Sequence, residues 1–177
     1  MVGAMKLDPL DHDIVSLLSS DPGISIVQVS RRLGVARATV QARLDKLHAA
    51  GVIRSDAPQL DPAAFGFGVM AMCEIQIEQG AGREALHATL EAIPEIIDAY
   101  TTAGEADILA RIVVRSNADL QDVIDRIAAI PVVQRTRSEL ILTTCFEGKT
   151  LPLLALAAGV APGRTDGRRT PARAGAR

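Results

Sequence analysis

Residues 65–78 alternate between apolar and polar side chains, and this alternation limits the possible folds more than any other feature of the chain. Successive side chains of a strand point to opposite faces, so the pattern predicts a β-strand with one buried face. Such a strand needs neighbouring strands to pair with, and its apolar face must pack against other elements of the chain. The predicted buried face carries Val69, Ala71, Cys73, Ile75 and Ile77, and the opposite face carries Met70, Met72, Glu74, Gln76 and Glu78.

Helical and extended patterns follow this strand in a definite order. A helical stripe ends before Pro94, two strands in residues 95–116 are hinged at residues 103–105, and a helix capped by Ser116 and Asp119 precedes a last strand in residues 132–147. The order β-α-β-β-α-β predicts a ferredoxin-like domain. Both helices would cover one face of the sheet. Because the other face also carries apolar residues such as Met70 and Met72, we expect two copies to pair through it as a homodimer.

Three short helices are predicted in the first sixty residues. The first begins with Asp8 as N-cap and Pro9 at the first helical position. Ser25 and Gln28 have the spacing of a capping box, which predicts the start of the second helix, and Gly51 ends the third. Apolar residues at helical spacing give each helix an inner face: Ile14, Leu17 and Leu18 in the first, Val29 and Leu33 in the second, and Val40, Leu44 and Leu47 in the third.

The second and third helices, separated by a turn at Gly34, have the pattern of a helix-turn-helix DNA-binding motif. A helix enters the major groove when its outer face lacks bulky apolar groups and its first turn offers hydrogen-bonding side chains. The first turn of the third helix meets both conditions. We predict DNA contacts by Arg37, Ala38, Thr39 and Gln41 in this turn, while Arg31, Arg32, Arg43, Lys46 and Arg54 either bind phosphates or pair within the fold.

Charge is distributed unevenly along the chain. The net charge is −2, yet residues 1–60 carry +1, residues 61–150 carry −7 and residues 151–177 carry +4. From Arg31 to Arg54, six basic residues stand against a single acidic one, Asp45. This basic patch favours double-stranded DNA as a partner. Three Phe, one Tyr and no Trp make stacking on single-stranded bases unfavourable.

In this order the features resemble the Lrp/AsnC family of bacterial and archaeal feast/famine regulators. The resemblance begins with "LDPLDHDIV" at Leu7, continues through "LDPAAFGFG" and "AGEADILARIVV", and ends with "KTLPL" at Leu153. It implies an α+β protein with a winged helix-turn-helix domain, a strand linker and a ferredoxin-like domain for ligand sensing and oligomerisation. We place these at residues 1–52, 53–66 and 67–153. A hairpin in residues 51–62 would form a wing or a dimer arm.

The resemblance also implies a function. Family members regulate transcription, assemble as dimers and often as tetramers or octamers, and many respond to an amino acid or a related metabolite. We therefore expect a sequence-specific DNA-binding regulator whose DNA affinity changes with an amino-acid effector. We expect no other cofactor, no metal, no membrane partner and no catalytic residue. The expected location is the cytoplasm, in association with the nucleoid.

The stretch "TTAGEADILARI", residues 101–112, is where the resemblance places the effector. Gly104 and Asp107 match the family's Gly-x-x-Asp, the turn that borders the effector pocket. The match assigns Asp107 to an effector amine and the backbone of residues 102–104 to a carboxylate. Residues lining the approach would be Tyr100, Thr101 and Thr102. A plain hairpin turn with an acidic rim is the alternative.

Ala106 departs from the family pattern, because a large aromatic residue is usual at this position. A small side chain there implies a larger pocket, a different ligand or no ligand. A DNA-binding protein of the nucleoid type, with no effector, is therefore a second hypothesis. Sirohaem decarboxylases also resemble this family, but their chemistry needs basic and His residues in the sensing domain. That domain is acidic here and contains only His87.

The sequence supports three further expectations. Cys73 and Cys145 lie in apolar runs, so both are expected to be buried thiols in a reducing compartment. The N-terminus lacks the apolar run of a signal peptide, and no stretch is long enough to span a bilayer. Residues 154–177, rich in Arg, Pro and Gly, are expected to form a disordered tail that either adds nonspecific DNA affinity or is only a solvated extension.

Overall fold

The computed structural model of the chain describes residues 5–78 and 83–161, except for the side chains of residues 83–85. The chain forms two compact units. The first comprises Met1–Ala57 with Phe146–Arg177, and the second is Pro58–Cys145. In the described residues the helices are α1 (Pro9–Ser20), α2 (Ile26–Leu33), α3 (Arg37–Ala49), α4 (Arg83–Glu91), α5 (Asn117–Ala128) and α6 (Leu151–Ala157), and the strands are β1 (Val69–Ile77), β2 (Ile96–Thr101), β3 (Ile108–Val114) and β4 (Val133–Ile141).

The start signals predicted for the first two helices are confirmed. Asp8 accepts a hydrogen bond from the backbone of Asp11, whose carboxylate accepts one from the backbone of Asp8. Ser25 and Gln28 form the same reciprocal pair at α2. These bonds satisfy amide groups that a helix end would otherwise leave without partners. The predicted inner faces meet in a core that contains Ile14, Ile24, Val29, Val40 and Leu44.

A buried ion pair joins α1 to α3. Asp11 is fully buried, and its carboxylate accepts a hydrogen bond of 2.9 Å from Nη1 of Arg43. The same guanidinium also bonds to Asp8, and this bond is the main reason that the pKa of Asp8 lies below its ordinary value. A buried carboxylate without a cation would cost several kcal/mol, on the order of 3–5. Arg43 therefore holds the outer helix α3 against the start of α1.

The second unit is a four-stranded antiparallel sheet in the order β2-β3-β1-β4. Strand β1 lies in the middle and pairs with both β3 and β4. The buried side chains Cys73, Ile75 and Ile77 face α4 and α5, as the alternation predicts. Other members of this core are Leu86 and Leu90 of α4, Ala110, Ile112 and Val114 of β3, and Val123 and Ile127 of α5. The predicted ferredoxin-like order of elements is confirmed.

The opposite side of the sheet is here called the open face, and the polarity of its side chains changes along the strands. Directly paired residues share a face, so the register identifies its members. One end is apolar and the other is charged. Met70 lies between Val113 and Ile141, Met72 between Arg111 and Glu139, and Glu74 between Leu109 and Arg137.

The predicted hairpin in residues 51–62 is not formed, and the described chain has no strand between α3 and β1. Residues 54–61 have no regular secondary structure, and Pro62–Phe65 form a 3-10 helix capped by Asp61. Pro58 and Pro62 lack an N–H group and cannot donate to a strand ladder. In this single chain the predicted strand linker at 53–66 is therefore an irregular connection.

The boundary predicted after residue 153 is also corrected. Helix α6 continues to Ala157 and belongs to the first unit, where it packs on α1. Ala155 and Ala158 are buried, whereas Leu153 and Leu156 are exposed. The ordered chain thus extends past residue 153, and the tail prediction for residues 162–177 lies outside the described residues.

One of the two cysteine predictions is wrong. Cys73 is buried in the core of the sheet, and burial raises the pKa of its thiol. Cys145 is exposed, because β4 ends at Ile141 and the following residues leave the sheet. Among residues 5–78 and 83–161 no helix has the length and apolar character needed to cross a membrane.

The ion pair gives a prediction about stability. Arg43→Met should lower the free energy of unfolding of the first unit by about 3 kcal/mol, because Asp11 stays buried without a cation. Urea unfolding followed by circular dichroism measures this change. The matched control is Arg37→Met on the exposed start of the same helix, which should change stability by less than about 0.5 kcal/mol. Equal effects of both substitutions would contradict the role given to Arg43.

Candidate DNA-binding helix and ligand cavities

The outer side of α3 is exposed to solvent at its first turn. Arg37, Ala38, Thr39 and Gln41 are all exposed, while Val40 between them is completely buried. Leu44 and Leu47 extend this buried stripe along the helix. The fold therefore holds α3 by one face and presents the predicted DNA-contacting turn on the other.

The start of α3 also offers backbone donors. Its N-cap is Ala36, which provides no side-chain acceptor for the first-turn amides. The first amides of a helix have no partner within the helix and carry a partial positive charge. They can be satisfied by water or by an oxygen of a phosphate group. α3 differs in this respect from α1 and α2, whose starts are closed by capping boxes.

The predicted phosphate-binding residues divide into two groups. Arg31, Arg32 and Lys46 are exposed, and Arg32 is 3.9 Å from Asp21 in an exposed ion pair. Such surface pairs contribute little and can be exchanged for a phosphate. Arg43 differs, because its guanidinium bonds to Asp8 and Asp11. Of the two roles that the sequence left open for Arg43, the structure gives it pairing within the fold.

The turn between β2 and β3 is held by hydrogen bonds to its own residues and to β1. The amide of Thr102 donates to the carbonyl of Asp107 at 2.9 Å, and the Thr102 hydroxyl donates to the carbonyl of Ala106. Nε2 of Gln76 donates to the carbonyl of Glu105 at 2.6 Å. The turn is therefore attached to the open face beside the charged end of β1.

Asp107 itself is bonded to the end of β1. Its amide donates to the carbonyl of Ile75 at 3.0 Å, and its carboxylate accepts from the amide of Ile77 at 3.0 Å. The Asp107 carboxylate thus accepts a hydrogen bond that a neighbouring strand would otherwise accept from β1, at the point where the pairing of β1 with β3 ends. Binding of an effector amine by Asp107 stays a prediction, and the structure adds a positioning role that the sequence did not indicate.

Two cavities adjoin β2 and the turn. The first, here called the edge cavity, has a volume of about 340 Å³ and lies between α4 and β2. The second, here called the hairpin cavity, has a volume of about 330 Å³ and lies on the open face under the turn. Its lining consists of Glu74, Thr102, Gly104, Glu105, Ala106, Leu109 and Arg137.

The predicted effector residues are not all in one cavity. Tyr100 and Thr101 line the edge cavity, whereas Thr102 and Gly104 line the hairpin cavity, and Asp107 lines neither. The division follows from the turn, where the chain leaves β2 and passes over the open face. Ala106 does line a cavity, which agrees with the expectation that a small residue there leaves space.

Three lining residues of the hairpin cavity were not predicted from the sequence. Glu74, Leu109 and Arg137 come from three different strands and meet only through the register of the sheet. Of these three residues, Glu74 had a signal in the sequence, because the alternation places it on the polar side of β1. Among the described residues, no group of three His, Cys, Asp or Glu side chains is arranged to hold a metal ion.

These two units define a class of protein. A helix-turn-helix with an exposed polar first turn, followed by a ferredoxin-like domain with ligand-sized cavities, is the architecture of a ligand-responsive transcription regulator. Comparisons with known proteins agree. Residues 7–54 match a winged helix-turn-helix DNA-binding family, and residues 70–151 match the Lrp/AsnC ligand binding domain.

The matches to related proteins span more than four fifths of this chain and nearly the whole length of each relative. The HTH-type transcriptional regulator FL11 of Pyrococcus horikoshii is 30% identical over 149 residues, which are 84% of this chain and 98% of the relative. The structure of E. coli AsnC has a TM-score of 0.76 at 26% identity and covers 82% of this chain and 99% of that one. The transcriptional regulator NMB0573 of Neisseria meningitidis, solved as a complex with L-Met, has a TM-score of 0.75 at 27% identity, with 85% and 99% covered. The chain belongs to the Lrp/AsnC family of transcription regulators.

The two roles of Asp107 can be separated by substitution. Asp107→Asn keeps an oxygen that accepts from the Ile77 amide, so the melting temperature should stay close to that of the wild type. Asp107→Ala leaves this amide without its acceptor and should cost about 1–3 kcal/mol. Thermal unfolding of the unliganded protein measures both. Similar melting temperatures for the Ala and Asn variants would show that the bond to Ile77 contributes no stability.

Proposed function

We propose that the protein binds specific DNA sequences through α3 and regulates transcription in response to an amino acid or a related metabolite. The observation that carries the DNA part is the exposed first turn of α3 above a completely buried stripe. Arg37, Thr39 and Gln41 are suited to base edges, with Ala38 offering an apolar contact to a thymine methyl group. Arg31, Arg32 and Lys46 are suited to phosphates.

Gln41 has a competing partner within the helix. Its Nε2 donates to Oδ1 of Asp45 at 2.9 Å, one turn further along the exposed side of α3. An exposed bond of this kind contributes only a few tenths of a kcal/mol, about 0.2–0.5. A bidentate contact with adenine favours the matching base over a wrong one by roughly 1–3 kcal/mol. The side-chain amide of Gln41 can therefore leave Asp45 when a matching base is present.

The DNA-binding proposal is tested by comparing specific with nonspecific affinity. Arg37→Ala and Gln41→Ala should each weaken binding to DNA selected by the protein from a random library by about 1–3 kcal/mol, with little effect on unrelated DNA. Lys46→Ala is the matched control. It should weaken both kinds of binding and reduce the salt dependence by about one ion. If the Arg37 and Gln41 variants weaken both kinds of binding equally, these side chains do not contact bases.

We further propose that the protein is a homodimer paired through the apolar end of the open face. Met70, Met72 and Ile141 are only partly covered in the single chain. A second copy of the same face would bury these side chains. The dimer would then carry two α3 helices, one for each of two successive major grooves. Larger assemblies of dimers are compatible with this arrangement.

The dimer proposal predicts the effect of a charge on that face. Met72→Glu should shift the sedimentation coefficient from that of a dimer toward that of a monomer, because the interface would bury an added carboxylate from each copy. Ala118→Glu on the exposed side of α5 is the control and should sediment like the wild type. A Met72→Glu protein that remains dimeric would place the interface elsewhere.

The effector part of the proposal rests on the cavities beside the turn. A volume of about 330 Å³ at the hairpin cavity is sufficient for an amino acid. The related NMB0573 regulator was solved with L-Met, which makes amino acids the first ligands to test. We assign no enzymatic role and no other cofactor, since the named relatives are transcription regulators. The corresponding location is the cytoplasm, where DNA is accessible.

A further inference from the structure

The side of α3 that is turned away from the core carries one acidic side chain. Asp45 lies five residues after the buried Val40 and therefore about 140° around the helix axis from it, whereas Gln41 lies about 100° away. The exposed Asp45 is thus closer than Gln41 to the outermost line of the helix. The neighbours along this line are small and exposed: Ala38, Ala42 and Ala49. They leave the carboxylate accessible to a groove that α3 enters.

The helix itself does not supply a strong counter-charge to Asp45. Its Oδ1 accepts a hydrogen bond of 2.9 Å from Nε2 of Gln41, which is a neutral amide. The other positions three or four residues away carry two alanines and His48, so no lysine or arginine has the spacing of an ion pair along a helix. Nε2 of His48 lies 3.8 Å from Oδ1 of Asp56. The charge of Asp45 therefore depends on water and on the Gln41 amide.

A carboxylate at this place weakens binding to DNA in general. Between Arg31 and Arg54 the chain has six basic residues and one acidic residue, Asp45. A negative charge on a surface that meets phosphates is repelled by every DNA sequence. When Gln41 turns to a base, the carboxylate also loses the donor that it has in the free protein. An ionised group that leaves water is unfavourable without a hydrogen-bond partner, so the DNA has to supply one.

Two of the four bases can supply this donor in the major groove. Cytosine and adenine each present an amino group at the major-groove edge, whereas guanine and thymine present acceptor oxygens there. An ionised carboxylate has acceptors and no donor, so it bonds to an amino group and is repelled by a carbonyl oxygen. Asp45 can therefore distinguish the two kinds of base, although its charge opposes DNA binding as such.

From this placement we infer that Asp45 contacts a base directly, accepting a hydrogen bond from the amino group of cytosine or adenine and disfavouring guanine and thymine at that position. This role depends on the DNA binding proposed for α3 and adds to it a residue that increases specificity by exclusion. Asp45 lies about 6 Å further along the helix axis than Gln41, which is more than the rise of about 3.4 Å between successive bases. The two side chains therefore contact different base pairs.

Selection from a random DNA library identifies the base that Asp45 contacts. The full-length wild type should select a site in which one position is enriched in cytosine or adenine, and Asp45→Ala should show no preference at that position. The preferences that are lost in Arg37→Ala and Gln41→Ala should remain in Asp45→Ala. The matched control is Asp13→Ala, which removes an exposed carboxylate from α1 and should keep every preference of the wild type.

A base analogue then tests the amino group itself. The selected cytosine or adenine is replaced by the analogue of that base without its amino group. This change should weaken binding by the wild type about 5- to 150-fold, as for the loss of a specific base contact. Asp45→Ala should lose less than about twofold, which also measures any effect of the analogue on the duplex. Asp45→Asn has both a donor and an acceptor, so it should bind sites with guanine or thymine at that position about as well as the selected site.

The possible failures are distinguishable. If Asp45→Ala keeps every preference of the wild type, or loses the same position as Gln41→Ala, Asp45 does not contact a base of its own and its proposed role is overturned. Sequence-specific DNA binding through α3 then stands on the Arg37 and Gln41 variants. If the wild type selects no sequence from the library, sequence-specific binding fails and the role of Asp45 fails with it. Unchanged melting temperatures without DNA confirm that the variants fold.

Discussion

The position of β1 at the centre of the sheet is the constraint on which the second unit depends. This strand forms ladders with β3 on one side and with β4 on the other. Its alternation fixes which side chains meet α4 and α5 and which lie on the open face. A shift of one residue would move Cys73 and Ile75 out of the core and bury Glu74 in their place. The core, the open face and the hairpin cavity therefore share a single register.

The end of β1 shows how that register is maintained. The chain of Asp107 bonds to the carbonyl of Ile75 and, through its carboxylate, to the amide of Ile77. The turn is thereby attached to the strand that supplies Glu74 to the cavity. Gly104 in this turn does not have a positive φ, and an added Cβ would meet nothing within 4 Å, so the backbone here does not require glycine. Bonds from neighbouring residues hold the turn in place.

Local features were predicted well, because their signals are contained in a few adjacent residues. The N-cap at Asp8, the capping box at Ser25, the buried face of β1 and the exposed first turn of α3 all belong to this group. Features that depend on distant pairing were not predicted. The partner of Arg43 lies more than thirty residues away at Asp11, and Arg137 meets Glu74 only through the sheet register. Cys145 and α6 show the same limit, since apolar composition alone does not tell where a strand ends or which surface a short helix covers.

Two connections of the chain join the unit with the proposed DNA-binding helix to the unit with the proposed ligand cavity. The chain passes from one unit to the other twice, after Ala57 and again after Cys145. The second passage follows β4, the strand that carries Arg137, and leads to α6, which packs on α1. Arg43 in turn joins α1 to α3.

The most direct measurement is the affinity of the full chain for DNA that it selects from a random library, with and without the amino acid that it binds. Regulation by an effector requires the two affinities to differ, and a coupling of 1–3 kcal/mol corresponds to a change of about 5- to 150-fold. By thermodynamic linkage, DNA must change the affinity for the amino acid by the same factor. We expect this reciprocal change. Equal DNA affinities at saturating amino acid would contradict it and would favour a DNA-binding protein of the nucleoid type without an effector.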